Sequence, residues 1–539
     1  MRRLALVVLL CGALAAEVSA YTLILRSGNR PLHWKTSSLP IRFLVHESTG
    51  PGLANVTDDS DPQAALASAL AHWPAVSSMR FESSTGTTAD GGRDSKSVIT
   101  FADTEDNRDL FEMAGEPVGL TLFFFNGDAE ISEADVLFNP GRQFTTTIDS
   151  FAELDAADMF DVEAVATHEL GHAIGLDHSG VESAAMWPLA SLVPRTLDPD
   201  DIAAARVLYP TGAGLGRIAG TVRVGGDEAF GAHVVAVSEA GPVISVLTTS
   251  DGAYTIESLA PGNYRVYVEP LDGPHSSQPG DPCAEFGNLS PSGPWGGREL
   301  TTDFGTAFLA QAVTVSAGAA ANASFALDAA ENTLNPVLLG TATATSLSVG
   351  AVPVEIASGS TQRIAVGGRG LDEVDEAGIR IEGPGVSVVT GSRQLRNINC
   401  NGNPTPVLVF SVTVAADAAG GGRSIVFSTD KETAALSGAL RIRAVDAPSP
   451  TPTATEPPLP TATRTQTATP RATSTPAPCV GDCNGDGEIT IDELVRGVGI
   501  ALGSSPLSAC ADFDLNGDSA VTVDELVRGV NGALAGCRS

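Results

Sequence analysis

The chain has 539 residues and 55.0 kDa, which at roughly 150 residues per domain predicts three or four domains. It carries 31 Lys and Arg against 64 Asp and Glu, a net charge of −33 and a pI of about 4.4. A phosphate backbone repels such a chain unless a dense basic patch is present, and none is found, so nucleic-acid binding is excluded. With 43% hydrophobic residues several cores can form, and 57 Gly and 34 Pro beside only 18% charged residues suit a turn-rich, β-rich exported protein.

At the N-terminus Arg2 and Arg3 precede an apolar run over residues 4–16 and then Val18-Ser19-Ala20, which predicts a signal peptide over residues 1–20. A lipoprotein site at Cys11 is the alternative, but Leu10 before it is larger than the small residue such sites favour. No other stretch has the roughly 20 apolar residues that span a bilayer. The expected protein is secreted, extracellular or cell-surface associated, with no transmembrane segment.

Residues 168–178 read His-Glu-Leu-Gly-His-Ala-Ile-Gly-Leu-Asp-His. Histidines at i and i+4 stand one above the other on a helix, so His168 and His172 can share a metal ion. The helix has its own support: Asp161 as N-cap, and Val162, Val165, Ala166, Leu170, Ala173 and Ile174 as an apolar stripe. Gly175 can take the left-handed conformation that ends a helix, which lets His178 return as third ligand. Three neutral imidazoles leave zinc a fourth position for water, as in a catalytic site, and Glu169 would take the proton from that water. His33, His46, His72, His233 and His275 have no such partner pattern and read as surface or core residues.

These residues, followed by Ser179 and by Ala185-Met186-Trp187-Pro188, resemble the metzincin metallopeptidases and among them the matrixins. Met186 matches the methionine of the turn beneath the metal, and no tyrosine follows it. The resemblance extends over residues 21–211. Leu39–Phe43 resembles the first strand, residues 64–81 with Trp73 the first helix, residues 133–139 the edge strand above the cleft, and residues 197–210 the closing helix. It implies an α/β metzincin domain that hydrolyses peptide bonds of protein substrates with one catalytic zinc. The substrate would lie extended along the strand near Val136, with apolar Trp187, Pro188, Leu189, Leu192 and Val193 walling the pocket for the residue after the cut. Residues 115–139 contain no histidine, so the second, structural zinc of animal matrixins is not expected. Asp94, Asp103, Asp106 and Asp128 read as solvated loop acids rather than calcium ligands. No propeptide or zinc-capping cysteine lies between Ala20 and the peptidase region.

Residues 216–330 alternate apolar and polar in short runs split by Asp-Gly and Pro-Gly. Gly220-Thr221-Val222, Ser250–Tyr254 and Leu259–Tyr264 resemble the carboxypeptidase regulatory-like β-sandwich, with a spacer or adhesive role. Residues 332–446 read as a second, Ig-like β-sandwich whose function the sequence does not reveal. Residues 447–478 are a stiff Pro/Thr-rich linker.

The last 61 residues, 479–539, repeat DELVRGV at an offset of 32. The first copy satisfies the EF-hand calcium loop, with oxygens from Asp482, Asn484, Asp486, the Glu488 carbonyl, Thr490 and Glu493. The second offers Asp514, Asn516, Asp518, the Ala520 carbonyl, Thr522 and Glu525, with Ser519 where the turn glycine stands in the first. The pair resembles a dockerin-type module, a small α-helical unit holding one or two calcium ions and docking on a cohesin-like or cell-surface partner. Its last ligands are Glu rather than Asp and it carries cysteines, both departures from dockerins. Cys479, Cys483, Cys510 and Cys537 allow three disulfide pairings, with a zinc knuckle as rival; for Cys283 and Cys400 the sequence leaves both pairing and the free state open.

The expected whole is multidomain: an α/β metzincin catalytic domain, two β-sandwiches and the calcium module. The competing class is an adhesin with a vestigial metalloprotease domain. Glu169, needed for chemistry but not for metal binding, favours the enzyme.

Overall fold

The computed structural model describes residues 23–26, 30–47, 53–148, 153–154, 157–188, 194–211, 214–271, 300–350, 353–400, 403–444 and, near the C-terminus, 480–481, 483, 491–501, 505, 507–514, 521–522, 526 and 528. The expected signal peptide, the Pro/Thr-rich stretch, His275, Cys283, Cys479, Cys537, Leu189, Leu192 and Val193 lie outside them. So do the expected calcium ligands Asp482, Asn484, Asp486, Glu488, Thr490, Asn516, Asp518, Ala520 and Glu525. Contacts group the chain into two compact units, residues 1–451 and 452–539.

In the first unit a mixed sheet carries the peptidase region. It is built from β1 (Ile41–His46), β2 (Phe81–Gly86), β3 (Ser97–Thr100), β4 (Gly119–Phe125) and β5 (Glu130–Phe138). β5, β3, β1 and β2 run parallel in that order, and β4 lies antiparallel along the other side of β5, with Thr121 opposite Val136. The edge strand is therefore β4 and not residues 133–139. β5 has partners on both sides, and Val136 is fully buried. An interior strand is covered on both faces and reads as a nearly continuous apolar run, as β5 does from Ala134 to Phe138 except for Asp135.

Among the described residues four helices of ten or more residues lie in the region: α1 (Pro62–Val76), α2 (Glu105–Ala114), α3 (Val162–Ala173) and α4 (Pro199–Leu208). Each N-terminus is closed by an acidic or hydroxyl cap, Asp61, Thr104, Asp161 and Asp198 respectively, which satisfies amide groups that lack an intrahelical partner. Trp73 of α1 is fully buried, and its Nε1 donates to the Thr167 carbonyl of α3 at 3.1 Å.

Beyond residue 215 come two sheet pairs. The first contains β6 (Gly216–Val224), β7 (His233–Ser238), β8 (Val243–Leu247), β9 (Ala253–Leu259) and β10 (Gly262–Glu269). β6 and β9 pair in one sheet; β8, β7 and β10 form the other, in that order. Ile218, Val222 and Ile256 share a core with Val234, Ala236 and Val266, and this core is continuous with that of the peptidase region. The second pair contains β11 (Asn335–Ala342), β12 (Thr361–Arg369), β13 (Asn403–Val414), β14 (Gly421–Ser428) and β15 (Thr433–Arg443), with its own core around Phe410 and Phe427. The alternation expected of β7 is absent: His233 to Val237 are all buried, because its second face is covered as well.

In the second unit a helix spans Ile491–Ala501, and Phe513 fills a small core with Ile500, Cys510 and Val521. Cys483 and Cys510 form a disulfide, one of the pairings left open by the sequence. The carboxylate of Glu493, expected as the last calcium ligand of the first copy, is 2% exposed and accepts the Cys483 amide at 3.0 Å. Among the described residues no helix is long and apolar enough to cross a membrane.

Candidate active site

Helix α3 sets the first two histidines and the glutamate. Asp161 Oδ1 accepts the Ala164 amide at 2.8 Å, and the Arg195 guanidinium holds the same carboxylate at 2.6 Å, so the start of the helix is fixed twice. At the other end Gly175 has φ +104°, and a Cβ there would meet the Leu32 carbonyl oxygen at 2.1 Å. Only glycine fits both the left-handed backbone and that approach. Past this reversal the chain brings back His178. One ligand atom from each of His168, His172 and His178 lies within 4.8 Å of the others, with ring centroids 4.7, 5.3 and 4.9 Å apart.

The rings are oriented by backbone. His168 Nδ1 lies 2.7 Å from the Ala185 carbonyl, and His172 Nδ1 lies 2.8 Å from the Leu176 carbonyl. A carbonyl only accepts, so each Nδ1 carries the proton and each Nε2 presents a lone pair. The Nε2 atoms of His168 and His172 face one another at 3.1 Å. Burial, with the neighbouring imidazoles, lowers His168 to about 3 and holds His178 well below the usual value; burial alone lowers His172 to about 4. All three are neutral donors at physiological pH. Two converging lone pairs repel unless a cation lies between them, so the donor set fits a tetrahedral metal such as zinc.

Glu169 is 4% exposed, and burial raises it to about 7 against the lowering effect of a hydroxyl. That hydroxyl belongs to Thr121 on β4, whose single proton is shared between Glu169 Oε2 at 2.7 Å and the Glu169 carbonyl at 2.9 Å. Gly119 on the same strand leaves the carboxylate its room: a Cβ there would come within 2.5 Å of Glu169 Oε1. Neither residue carries a motif in the sequence. Their strand reads as apolar, and its place beside α3 is set by the sheet.

Met186 is 2% exposed, against Gly171 of α3, where a Cβ would lie 2.2 Å from its sulfur. The loop that carries Met186 is tied to the start of α4. Asp201 accepts the amides of Ala185 at 2.8 Å and Met186 at 3.0 Å, and Asp200 accepts the Ser179 hydroxyl at 2.6 Å. Burial raises Asp201 to about 8 and Asp200 to about 6.

The remaining expectations sort simply. Asp94 pairs with Lys96, Asp103 with Arg108 and Asp128 with Arg30, all at exposed positions. His72 pairs with Glu163 at 2.9 Å. His233 is not a lone core residue: it is fully buried with its Nδ1 2.8 Å from Glu269 Oε1. The unbroken burial of β7 was the signal that something covers its outer face.

Residues 34–210 match the family described as Matrixin (Peptidase_M10). Among similar proteins, the metalloendoproteinase 4-MMP of Arabidopsis thaliana is 35% identical over 131 residues, 21% of this chain and 35% of that protein. Metalloendoproteinase 1-MMP of the same plant is 55% identical over 53 residues, 9% of this chain and 14% of that protein. Karilysin of Tannerella forsythia is 47% identical over 49 residues, 9% of this chain and 10% of that protein. The matched stretch is similar to matrixin metallopeptidase domains. The chain spans about a third, or less, of the length of each of these relatives.

Proposed function

We propose that this chain is a secreted zinc-dependent metalloendopeptidase that hydrolyses protein substrates. The observation that carries the reading is the pairing of a metal-ready triad with a buried carboxylate beside it. His168 and His172 are turned by backbone carbonyls so that their Nε2 atoms converge, and Thr121 fixes Glu169 next to them. His168, His172 and His178 would hold the zinc. When bound, zinc supplies a Lewis acid that polarises the scissile carbonyl and acidifies water.

The chain supplies the rest. Glu169 accepts the proton from the attacking water and passes it to the leaving amine. Thr121 keeps the carboxylate on one rotamer by donating to Oε2, which leaves Oε1 for the proton. β4 bonds to β5 along one side only, and among the described residues its outer side has no strand partner. An extended substrate can add there as a further strand. Trp187, 1% exposed, begins the wall of the pocket for the residue after the cut, which favours a bulky apolar side chain there. The tail would bind calcium and attach the enzyme to a cohesin-like or cell-surface partner. A vestigial, purely adhesive domain would have no use for a glutamate held this way.

The test separates metal from chemistry. Glu169→Ala should keep zinc near one per chain and lower peptide hydrolysis by about 10²–10⁴-fold, the usual worth of a general base. His172→Ala should lose both. Wild-type turnover in Glu169→Ala would end the mechanism.

A further inference from the structure

The loop between the third histidine and α4 does two jobs at the metal site. Its Ala185 carbonyl orients His168, and its Met186 lies against Gly171 of the helix that carries His168 and His172. Asp198, Asp200 and Asp201 hold it from one side, yet much of its surface is covered by residues more than fifty positions downstream. The Glu182 amide donates to the Ser437 carbonyl of β15 at 2.9 Å. Gly438 faces Val181 and Ser183, where a Cβ would come within 2.6 Å of the Val181 side chain. The Gly422 amide of β14 donates to Asp198 Oδ2 at 3.2 Å, and the Ser183 hydroxyl donates to the same oxygen at 3.0 Å. The Ser245 amide of β8 donates to Asp200 Oδ1 at 2.6 Å, whose other oxygen takes Ser179.

Apolar contacts follow the same pattern. Val181 and Ala184 are fully buried in a cluster with Val235, Val237, Val243 and Tyr267 of the first sheet pair. Tyr267 in turn bonds Ser437 at 2.6 Å and Ser424 at 2.8 Å, so the two pairs are joined where they meet the loop. A spacer hung on a flexible link would show none of this. The peptidase region alone would expose Val181 and Ala184 and leave Asp198 and Asp200 without two of their amide donors.

We propose that the two sheet pairs are positioning parts of the metal site: through Ser245, Gly422, Ser437 and Gly438 they hold the 179–187 loop that seats His168. The proposal rests on the metallopeptidase reading for what the site does, but not for whether the loop is held. Partners one step removed from a metal ligand typically alter affinity or activity by 10–100-fold.

The full-length chain carries the experiment. At Gly422 the backbone is not left-handed, and a methyl would lie 2.1 Å from the Ser183 oxygen, so Gly422→Ala forces that hydroxyl off Asp198. Gly262→Ala, at the start of β10, is the control, because its backbone is not left-handed and nothing lies within 4 Å of its Cβ position. Cobalt(II) replaces zinc as a coloured probe of the triad, its affinity read against a competing chelator, alongside kcat and KM on a short peptide. Gly422→Ala should weaken cobalt binding about tenfold and lower kcat more than it changes KM, with Gly262→Ala unchanged. In a Ser183→Ala background Gly422→Ala should add nothing, because the group it displaces is gone. Should Gly422→Ala fail to fold, Tyr267→Phe, which removes the hydroxyl bonded to Ser424 and Ser437, should shift cobalt affinity in the same direction by less. Unaltered cobalt affinity and kcat in a folded Gly422→Ala or Tyr267→Phe chain would overturn the proposal. If wild-type chain binds cobalt at the triad but cleaves nothing, the peptidase reading falls and the cobalt comparison still decides this one.

Discussion

Glu182 gives the sharpest physical test of the junction between the peptidase region and the sheet pairs. It is 2% exposed, its Oε2 has no hydrogen-bond partner, and burial with the nearby Glu269 carboxylate raises it to about 8 from an ordinary 4.5. The native state therefore holds a proton that the unfolded chain releases between those values, and stability falls as pH rises through that window. The window is about three and a half pH units wide, so at ~1.4 kcal/mol per unit the loss has an upper bound of about 5 kcal/mol. Relaxation of the junction and entry of water reduce it to about 1–3 kcal/mol. Glu182→Gln keeps the volume and stays neutral. Denaturant unfolding at pH 5 and pH 8.5 should show wild type losing about 1–3 kcal/mol more than the variant across that interval, the two being close at pH 5. Asp201 and Asp200 are raised too, so a slope survives in both chains and only the difference counts. Parallel pH profiles for the two proteins would show that Glu182 is ionised in the native state, and the argument would fail.

Two further outcomes follow from the proposed function. A peptide-library profile should be dominated by bulky apolar residues just after the cut, and dominance by Arg, Lys, Asp or Glu there would contradict the apolar wall begun by Trp187. A chain ending at Thr451, the limit of the first compact unit, should keep its rate on small peptides while the isolated segment 479–539 gains helical signal with calcium, less so in Asp482→Ala; a tail equally ordered with chelator present and its disulfides reduced would remove the calcium assignment.

The convergence of the three histidines was legible in the sequence because they are local. Three histidines, one glutamate and the glycine that turns the chain fall within residues 168–178, and the i, i+4 geometry of a helix does the rest. The Asp161 cap was legible for the same reason. What was not legible depends on order in the sheet. Residues 119–125 and 133–139 are both apolar strands, and which one lies at the edge is decided by where the chain inserts the other, so the edge was assigned to the wrong strand. Thr121 and Glu169 meet across 48 positions for the same reason. The covering of the 179–187 loop was further out of reach, yet one local sign existed. In β7, Val234 to Val237 are all apolar, too many for a strand with one wet face.

The arrangement also explains how a chain with twice as many acids as bases can bury so many carboxylates near its metal site. There are 64 acidic and 31 basic residues, so most acids cannot be ion-paired. Around the loop they are satisfied by donors that carry no formal charge. Asp201 accepts the amides of Ala185, Met186 and Asp198; Asp200 accepts Ser179 and Ser245; Asp198 accepts Ser183 and Gly422. An amide fixes backbone position directly, whereas a Lys or Arg partner would fix only the end of a long side chain. The three acids are thus used as braces on the loop's main chain, and the Ala185 carbonyl that they place is the atom His168 depends on for its tautomer. Two of the braces, Asp198 and Asp200, are completed from the sheet pairs. The metal site is built across the first compact unit, well beyond the stretch that contains its ligands.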